Sequence, residues 1–409
     1  MAEDVTRRNI SREAMKMRTS RAPLAPDFFA KVRLPFPLAE TLPPQCYYSA
    51  DFYEREVEHI FMKVWNFIGR ADHIPLPGDY FTLDFVGVPI IVIRDREGGL
   101  NAYANTCRHR GAKLVEGQGN AKVLVCPYHG WSYDARGRLI AAPEMQHTEG
   151  FDRACYPLKR IRLETWEGFV FINFDPDAES LMEYLGDLPS TLASYRFGDM
   201  KQAGRVEYEL DCNWKIYAEN AMEAYHVAMV HAKSLQKLKR ELPPVVPSRG
   251  NWCGLHTRHE GSRALLAGDT GFPAIQGLEG LAALGTYYTL IYPSTMFGCT
   301  IDCMWWFEVH PLGPERMRLI VGSCFPKETV QRDDFEDVVK RYERRWATSV
   351  REDNDISELQ QKGIRSPYAE PGRLSHMEEL VHRIGNWIAD RLTEGEQQKE
   401  SAVQKRSAA

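Results

Sequence analysis

The stretch from Cys107 to His129 constrains this chain more than any other part of the sequence. It reads Cys-Arg-His-Arg-Gly-Ala and then, after a spacer, Cys-Pro-Tyr-His-Gly-Trp. Cys107 and His109 therefore lie on one turn, and Cys126 and His129 lie on another. Because thiolate and imidazole are both metal-ligating groups, two thiolates and two imidazoles can converge on one metal centre.

The mixture of ligand types favours an electron relay over a structural metal site. Thiolates are soft and electron-rich, whereas neutral imidazole leaves a less negative centre with a higher reduction potential. The pattern therefore predicts a 2Fe-2S cluster of the Rieske type, with the cysteines on one iron and the histidines on the other. A structural zinc site is the alternative. Zinc sites usually pair Cys with Cys on the first turn, and here each turn mixes the two residue types.

Length and composition limit the classes of protein that the chain can belong to. With 409 residues, 44% of them hydrophobic, two domains of unequal size are expected. The formal net charge of -5 gives no electrostatic reason to expect nucleic acid as a partner. Apolar runs fall short of a membrane span and the amino terminus has no apolar signal core, so a cytoplasmic protein is predicted. Only two of the nine cysteines belong to a spaced motif, which argues against a disulfide framework.

Changes in the sequence pattern divide the chain into four segments. Residues 1–47 are rich in charge and proline and predict an extended arm. Residues 48–165 contain short β-rich runs joined by tight turns, which predict a small antiparallel β domain that carries both metal-binding turns. Residues 166–390 are predicted to form a second domain, and residues 391–409 a disordered tail.

A second group of candidate ligands follows the sequence Asn-Trp-Lys at residues 213–215. Glu223 and His226 are three residues apart and would share one face of a helix. His226 and His231 are five residues apart, so both can bind one ion only if the helix ends or bulges between them. Two histidines are one ligand short of the facial triad that holds non-haem Fe(II).

The missing carboxylate is expected from a distant part of the chain. Asp353 and Asp355 are the best candidates, in a stretch whose periodicity predicts the opening of a carboxy-terminal helix. Either acid could instead only complement the positive end of that helix. The residues alone leave both choices open.

Taken together, the motifs resemble those of the large, catalytic subunit of Rieske non-haem iron oxygenases, over residues 48–390. The matches are Cys-x-His with Cys-x-x-His at the cluster, and Asn-Trp-Lys, Glu-Asn and Tyr-His-x-x-x-x-His at the iron. The resemblance implies an α+β fold, with a small antiparallel β Rieske domain and a helix-grip (START-like) catalytic domain, in which a twisted antiparallel sheet surrounds a long helix. The resemblance implies that the cluster ligands are Cys107, His109, Cys126 and His129. It implies that the iron ligands are His226, His231 and Asp353, and it favours Asp353 over Asp355.

The same resemblance implies an oxygenase component that uses O2 and electrons from NAD(P)H, delivered by a separate reductase or ferredoxin. It implies a homotrimer, with a small β subunit as an optional partner. Glu223 would bridge His226 to the second cluster histidine of the neighbouring subunit. Asn220, from the Glu-Asn motif, is the other predicted catalytic residue.

The family usually has Asp where this chain has Glu223. Glu at this position is similar to the branch that acts on quaternary ammonium compounds such as carnitine, glycine betaine, choline and proline betaine. This favours a monooxygenase or demethylase acting on a quaternary ammonium or N-methyl substrate. Such a cation would contact aromatic faces. The candidates lie in adjacent pairs on predicted strands, so at most one of each pair can line a pocket: Tyr287 with Tyr288, and Trp305 with Trp306.

Two other functions are consistent with parts of the sequence. An aromatic-ring hydroxylating (di)oxygenase alpha subunit would share the electron chain and have an apolar pocket, with the loop 260–285 as a flexible apolar lid. A Rieske electron carrier without catalysis would need only the first domain. The carrier hypothesis leaves His226, His231 and a second domain unexplained.

Overall fold

The computed structural model describes residues 24–235 and 243–407, with side chains described as far as residue 395. Within these ranges the predicted α+β fold is confirmed. Residues 1–23 of the predicted arm lie outside the described residues. The strands of the first domain are β1 (Asn66–Arg70), β2 (Asp79–Phe85), β3 (Val88–Arg94), β4 (Leu100–Ala104), β5 (Gln118–Asn120), β6 (Val123–Val125), β7 (Ser132–Asp134), β8 (Leu139–Ala141), β9 (Arg160–Trp166) and β10 (Phe169–Asn173).

The second domain contributes one more sheet and most of the helices. Its strands are β11 (Met200–Leu210), β12 (Trp252–Arg258), β13 (Gly285–Ile291), β14 (Thr295–Cys299), β15 (Met304–Gly313) and β16 (Arg316–Pro326). The α-helices of the described residues are α1 (Ala50–Glu56), α2 (Leu181–Leu185), α3 (Leu188–Thr191), α4 (Trp214–Ala221), α5 (Val227–Val230), α6 (Lys327–Val330), α7 (Phe335–Ile364) and α8 (Glu379–Ser407). None of these helices is both long enough and apolar enough to cross a membrane.

The first domain holds the two metal-binding turns at the edge of a β scaffold. Its main sheet has the strand order β1-β10-β9-β4-β3-β2-β5, and a small sheet has the order β6-β7-β8. One turn follows β4, and the other joins β6 to β7. The sheet extends past the predicted boundary at residue 165, because β10 pairs with both β1 and β9. Every residue of β10 is buried, as expected for a strand covered on both faces.

The second domain wraps a six-stranded antiparallel sheet, of order β11-β16-β15-β14-β13-β12, around α7. The helix is amphipathic, and its buried apolar residues recur three or four positions apart. Phe335, Tyr342 and Trp346 of this face pack on Trp305 and Phe325 of the sheet. This is the predicted helix-grip arrangement, and it fixes α7 relative to the strands that line the site.

Three local predictions were wrong. The helix predicted to open near Asp353 begins at Phe335, so Asp353 lies in the second half of α7. The helix that was predicted to carry Glu223 and His226 on one face stops at Ala221, the end of α4, before both residues. Residues 391–407 of the tail that was predicted to be disordered belong to α8, and the buried face of that helix continues as far as Leu392.

The described part of the arm packs on the body of the same chain. Phe29, Val32 and Leu42 are buried in the main hydrophobic core. Arg33 forms an ion pair with Asp390 of α8 at 2.5 Å. The arm and the last helix are therefore anchored to each other.

Candidate metal centres and substrate cavity

The two turns predicted to hold the cluster have the same backbone geometry. In each, the cysteine N–H donates to the carbonyl five residues ahead at 2.8 Å, and the cysteine carbonyl accepts the N–H of the glycine four residues ahead at 3.0 Å. Those glycines, Gly111 and Gly130, have φ of 78° and 73°, in the left-handed region that favours glycine. The shared geometry presents Cys107 and Cys126 in equivalent positions on facing loops.

The four side chains separate into an inner and an outer pair. Cys107 and Cys126 are only 3% and 2% exposed, whereas His109 and His129 are exposed. The imidazole centroids are 4.7 Å apart. Two buried thiols behind two exposed imidazoles fit the donor set of a Rieske cluster, in which the cysteines would hold one iron and the histidines the other.

Two aromatic residues that the sequence analysis did not select support these ligands. Trp131 stacks on the His109 ring with centroids 4.9 Å apart. The Tyr133 hydroxyl lies 3.5 Å from the Cys107 sulfur and accepts the N–H of Arg108 at 3.0 Å. Hydrogen bonds to ligand sulfur and packing against ligand rings tune such centres. Both residues closely follow the second motif, which is the signal that could have identified them.

The second centre brings together residues from two distant parts of the chain. His226 directly precedes the four-residue helix α5, and His231 directly follows it. A helix therefore ends between the two histidines, as their spacing required. Asp353 of α7 places one carboxylate oxygen 3.7 Å from His226 Nε2 and 3.1 Å from His231 Nε2. One ligand atom from each residue lies within 4.8 Å of the others, a separation that fits one metal ion. Asp355 is exposed and is not part of this group.

Hydrogen bonds from neighbouring residues hold this triad in place. Glu352 lies 2.7 Å from His231 Nδ1, and Asn220 donates to Asp353 at 3.0 Å. Burial lowers the pKa of His231, but Asp353 and Glu352 outweigh burial and raise it overall. Engaging Nδ1 in this way directs Nε2 towards the metal position. The sequence did not reveal the role of Glu352, because only the fold brings this residue of α7 to His231, which lies 121 residues earlier in the chain.

Glu223 makes the contact with His226 that the spacing suggested, but from a turn and not from a helix face. One carboxylate oxygen lies 2.5 Å from His226 Nδ1, and the other accepts the backbone N–H of His226 at 3.1 Å and that of Tyr225. The side chain is 10% exposed. Its predicted contact with a histidine of a neighbouring subunit stays a prediction.

A cavity of about 140 Å³ opens beside the triad. Tyr288 and Trp305 line it, whereas their neighbours Tyr287 and Trp306 do not. One residue of each adjacent pair thus faces the cavity, which follows from the alternation of side chains along a strand. Its other aromatic walls are Tyr217 and Phe307, and its cationic residues are Arg263 and Arg345.

The loop predicted to act as a flexible lid is in part a fixed wall. Arg263 and Leu265 of this loop line the cavity. Phe272 is buried, its ring stacks on that of Tyr342 of α7, and its N–H donates to the Tyr342 hydroxyl at 2.7 Å. The two arginines were not selected from the sequence, because nothing in the spacing of Arg263 and Arg345 sets them apart from the surface arginines.

Two family models match the chain. The Rieske [2Fe-2S] domain matches residues 64–159, and the ring hydroxylating alpha subunit (catalytic domain) matches residues 197–394. The two matches together cover most of the chain and correspond to the two domains described above.

Several of the similar proteins are monooxygenases or their oxygenase subunits. The carnitine monooxygenase oxygenase subunit of Acinetobacter pittii is 36% identical over 197 residues, which are 47% of this chain and 53% of that relative, so the match spans about half of the relative's length. The glycine betaine monooxygenase oxygenase subunit of Pseudomonas aeruginosa is 28% identical over 385 residues, covering 86% of this chain and 89% of the relative. The crystal structure of the quaternary ammonium Rieske monooxygenase CntA with its substrate L-carnitine superimposes with a TM-score of 0.73 at 27% identity, covering 91% of this chain and 99% of that chain.

Proposed function

We propose that this chain, which belongs to the Rieske non-haem iron oxygenases through both of its domains, is the oxygenase component of a multicomponent Rieske system. It hydroxylates a quaternary ammonium or N-methyl compound with O2 and electrons from NAD(P)H, as a monooxygenase or demethylase. The observation that carries this proposal is the group His226, His231 and Asp353 beside an aromatic cavity. The names of the relatives support the substrate class.

The residues present fit the two metal groups of such an enzyme. Two buried thiols and two exposed imidazoles suit the 2Fe-2S cluster, and two imidazoles with one carboxylate suit Fe(II). When bound, the cluster supplies single electrons and the mononuclear iron supplies the activation of oxygen. Cys107, His109, Cys126 and His129 would hold the cluster, and His226, His231 and Asp353 the iron.

The remaining residues of the site position ligands and shield the substrate. Glu223 and Glu352 accept hydrogen bonds from the Nδ1 atoms of His226 and His231, which leaves both Nε2 atoms free for metal. Asn220 orients the Asp353 carboxylate by donating to it. The aromatic rings exclude water from the reacting bond and offer faces to a cationic head group: Tyr217, Tyr288, Trp305 and Phe307.

Partners and assembly form part of the proposal. The exposed edge at His109 and His129 suits electron entry from a reductase or ferredoxin and exit to another subunit. In a homotrimer Glu223 would join His226 to that edge of the neighbouring copy, with or without a small β subunit. A cytoplasmic location agrees with the cysteines, all nine of which are free of disulfides.

The alternatives are less well supported. An electron carrier would have no use for an assembled triad with its own hydrogen-bond partners. A hydroxylase of unsubstituted aromatic rings would need an apolar cavity, whereas Arg263 and Arg345 line this one.

Reconstitution of the purified protein tests the proposed function. About three irons per chain and a Rieske signal by electron paramagnetic resonance are expected, and His129→Ala should lose that signal. With a surrogate reductase, NADH, O2 and carnitine or glycine betaine, an oxidised product should form in step with oxygen consumption. His226→Ala is the matched control, expected to keep the cluster signal and form no product. Zinc in place of iron, or oxygen consumption that no N-methyl compound stimulates, would refute the proposal.

A further inference from the structure

Arg345 is a buried cation in the wall of the cavity. It is 7% exposed, and its Nη1 donates to Ser349 Oγ at 3.1 Å. Its Nε is buried without a hydrogen-bond partner. Among the described residues, no carboxylate forms an ion pair with it. An unpaired buried charge lowers the stability of the folded protein, so a charged group of this kind in a cavity wall is expected to bind a ligand of opposite charge.

The helix aims this cation along the cavity towards the metal triad. Arg345, Ser349 and Asp353 are successive residues at four-residue spacing on the buried face of α7. Four residues correspond to a rise of about 6 Å. Because the guanidinium reaches forward to Ser349, it lies about one helical turn from the level of Asp353. The cation also lies over the Trp305 ring, at 5.4 Å from its centroid.

A second arginine, Arg263, is also among the residues that line the cavity. Burial lowers the pKa of Arg345, Tyr288 and Asp353 act against this lowering, and repulsion from Arg263 adds to it. The carboxylates that line the cavity, Glu223 and Asp353, are already engaged by His226 and His231. The cavity therefore has a cationic end and a separate metal end.

The chemistry of the two ends defines the substrate class. We propose that the substrate carries a carboxylate, which Arg345 binds at the cationic end while the reacting methyl group lies at the triad. This inference rests on the proposed function and narrows it to zwitterionic compounds of the betaine type. The planar guanidinium can donate two parallel hydrogen bonds to a carboxylate. A purely cationic alcohol such as choline would meet the Arg345 cation with no negative group to pair with it and is disfavoured.

Three ligands of nearly equal shape test the proposal without any mutation. They are γ-butyrobetaine, its primary amide, which lacks the negative charge, and 5,5-dimethylhexanoate, its carbon isostere, which lacks the positive charge. Isothermal titration into the metal-loaded, anaerobic protein measures each affinity. Charge-assisted hydrogen bonds predict that the amide binds at least about ten-fold more weakly than γ-butyrobetaine. Equal affinity of these two ligands would overturn the proposal.

Variants then assign the effect to one residue. Arg345→Gln should weaken γ-butyrobetaine binding by at least about ten-fold and leave amide binding unchanged. Arg344→Gln is the matched control, because Arg344 is the adjacent residue, is exposed and pairs with Asp269 at 2.7 Å. It should leave both affinities unchanged. Loss of both affinities to the same extent in Arg345→Gln would contradict a role in carboxylate recognition.

The carbon isostere separates this inference from the proposed function. If 5,5-dimethylhexanoate binds as tightly as γ-butyrobetaine and the amide does not, the carboxylate site stands and the quaternary ammonium part of the proposed function fails. If the amide binds as tightly and the isostere does not, the proposed function stands and the carboxylate site fails.

Discussion

The buried ion pair between Glu56 and Lys215 offers a quantitative test of how the site is supported. Both side chains are 0% exposed, and Lys215 Nζ lies 2.5 Å from the carboxylate. Trp214 Nε1 donates to the other carboxylate oxygen at 3.1 Å. Glu56 ends α1, whereas Lys215 stands in the first turn of α4. The pair therefore ties the segment that precedes the Rieske domain to the helix that leads into the iron site.

Removing one partner leaves the other as an uncompensated buried charge. Lys215→Met should therefore lower the free energy of unfolding by about 3–5 kcal/mol at pH 8. Burial already raises the pKa of Glu56, and Lys215 opposes that rise. Without Lys215 the pKa of Glu56 rises further, so the folded variant takes up a proton more readily than its unfolded chain. The destabilisation should be small near pH 5 and grow as the pH rises.

Urea unfolding followed by tryptophan fluorescence measures this effect. The double variant Glu56→Gln/Lys215→Met removes both charges and keeps an acceptor for Trp214, so it should recover to within about 2 kcal/mol of the parent. Lys63→Met is the matched control, because Lys63 pairs with Asp175 while 46% exposed, and its loss should cost less than about 1 kcal/mol. A double variant as unstable as the sum of its two single variants would refute the reasoning.

Three further predictions concern the site itself. Asp353→Ala should lose about one iron per chain by metal analysis and keep the Rieske spectrum, whereas Asp355→Ala should keep all of its iron. The reverse pattern would show that Asp355, and not Asp353, is the iron ligand. Glu223→Gln should keep both metal groups, since the amide oxygen still accepts one hydrogen bond. Reoxidation of the reduced cluster in the presence of substrate and O2, measured by stopped-flow absorbance, should slow by orders of magnitude. A parental rate of reoxidation would exclude Glu223 from electron transfer. Burial raises the pKa of Glu219 from 4.5 to about 7, so its contribution to stability is full below pH 4.5 and is lost as the pH rises through 7. Glu219→Gln should therefore gain melting temperature relative to the parent between pH 5 and pH 8 in a thermal unfolding series, and a constant difference would contradict the raised pKa.

The local parts of both metal sites could be predicted from the sequence. Cys107 and His109 lie on one short turn, and Cys126 and His129 lie on another. The spacing within each turn is therefore enough to place each cysteine close to its histidine. The spacing of His226 and His231 required a helix to end or bulge between them, and the short helix α5 that separates them ends at Val230, directly before His231. Such patterns are readable because each ligand pair lies within a few residues along the chain.

Contacts between distant segments could not be read in the same way. Asp353 and Asp355 differ in the face of α7 that they occupy, and that face depends on where the helix begins and on what covers it. The prediction placed the helix start too late, so the resemblance to known oxygenases, and not periodicity, favoured Asp353. Arg345 was missed for the same reason, since only the packing of α7 against the sheet buries it.

The position of Arg345 and Asp353 on one helix has a consequence for specificity. Because a packed helix is rigid, the separation between the proposed carboxylate anchor, Arg345, and the proposed iron ligand, Asp353, is set by the helical rise between them and does not adapt to the substrate. A substrate anchored at Arg345 brings a methyl group to the triad only if its chain has the matching length. Shorter molecules would leave the methyl group short of the triad, and longer ones would have to fold back on themselves within the cavity. Substrate length should therefore change the fraction of consumed oxygen that yields product more than it changes binding, since the anchoring contact is the same for every chain length.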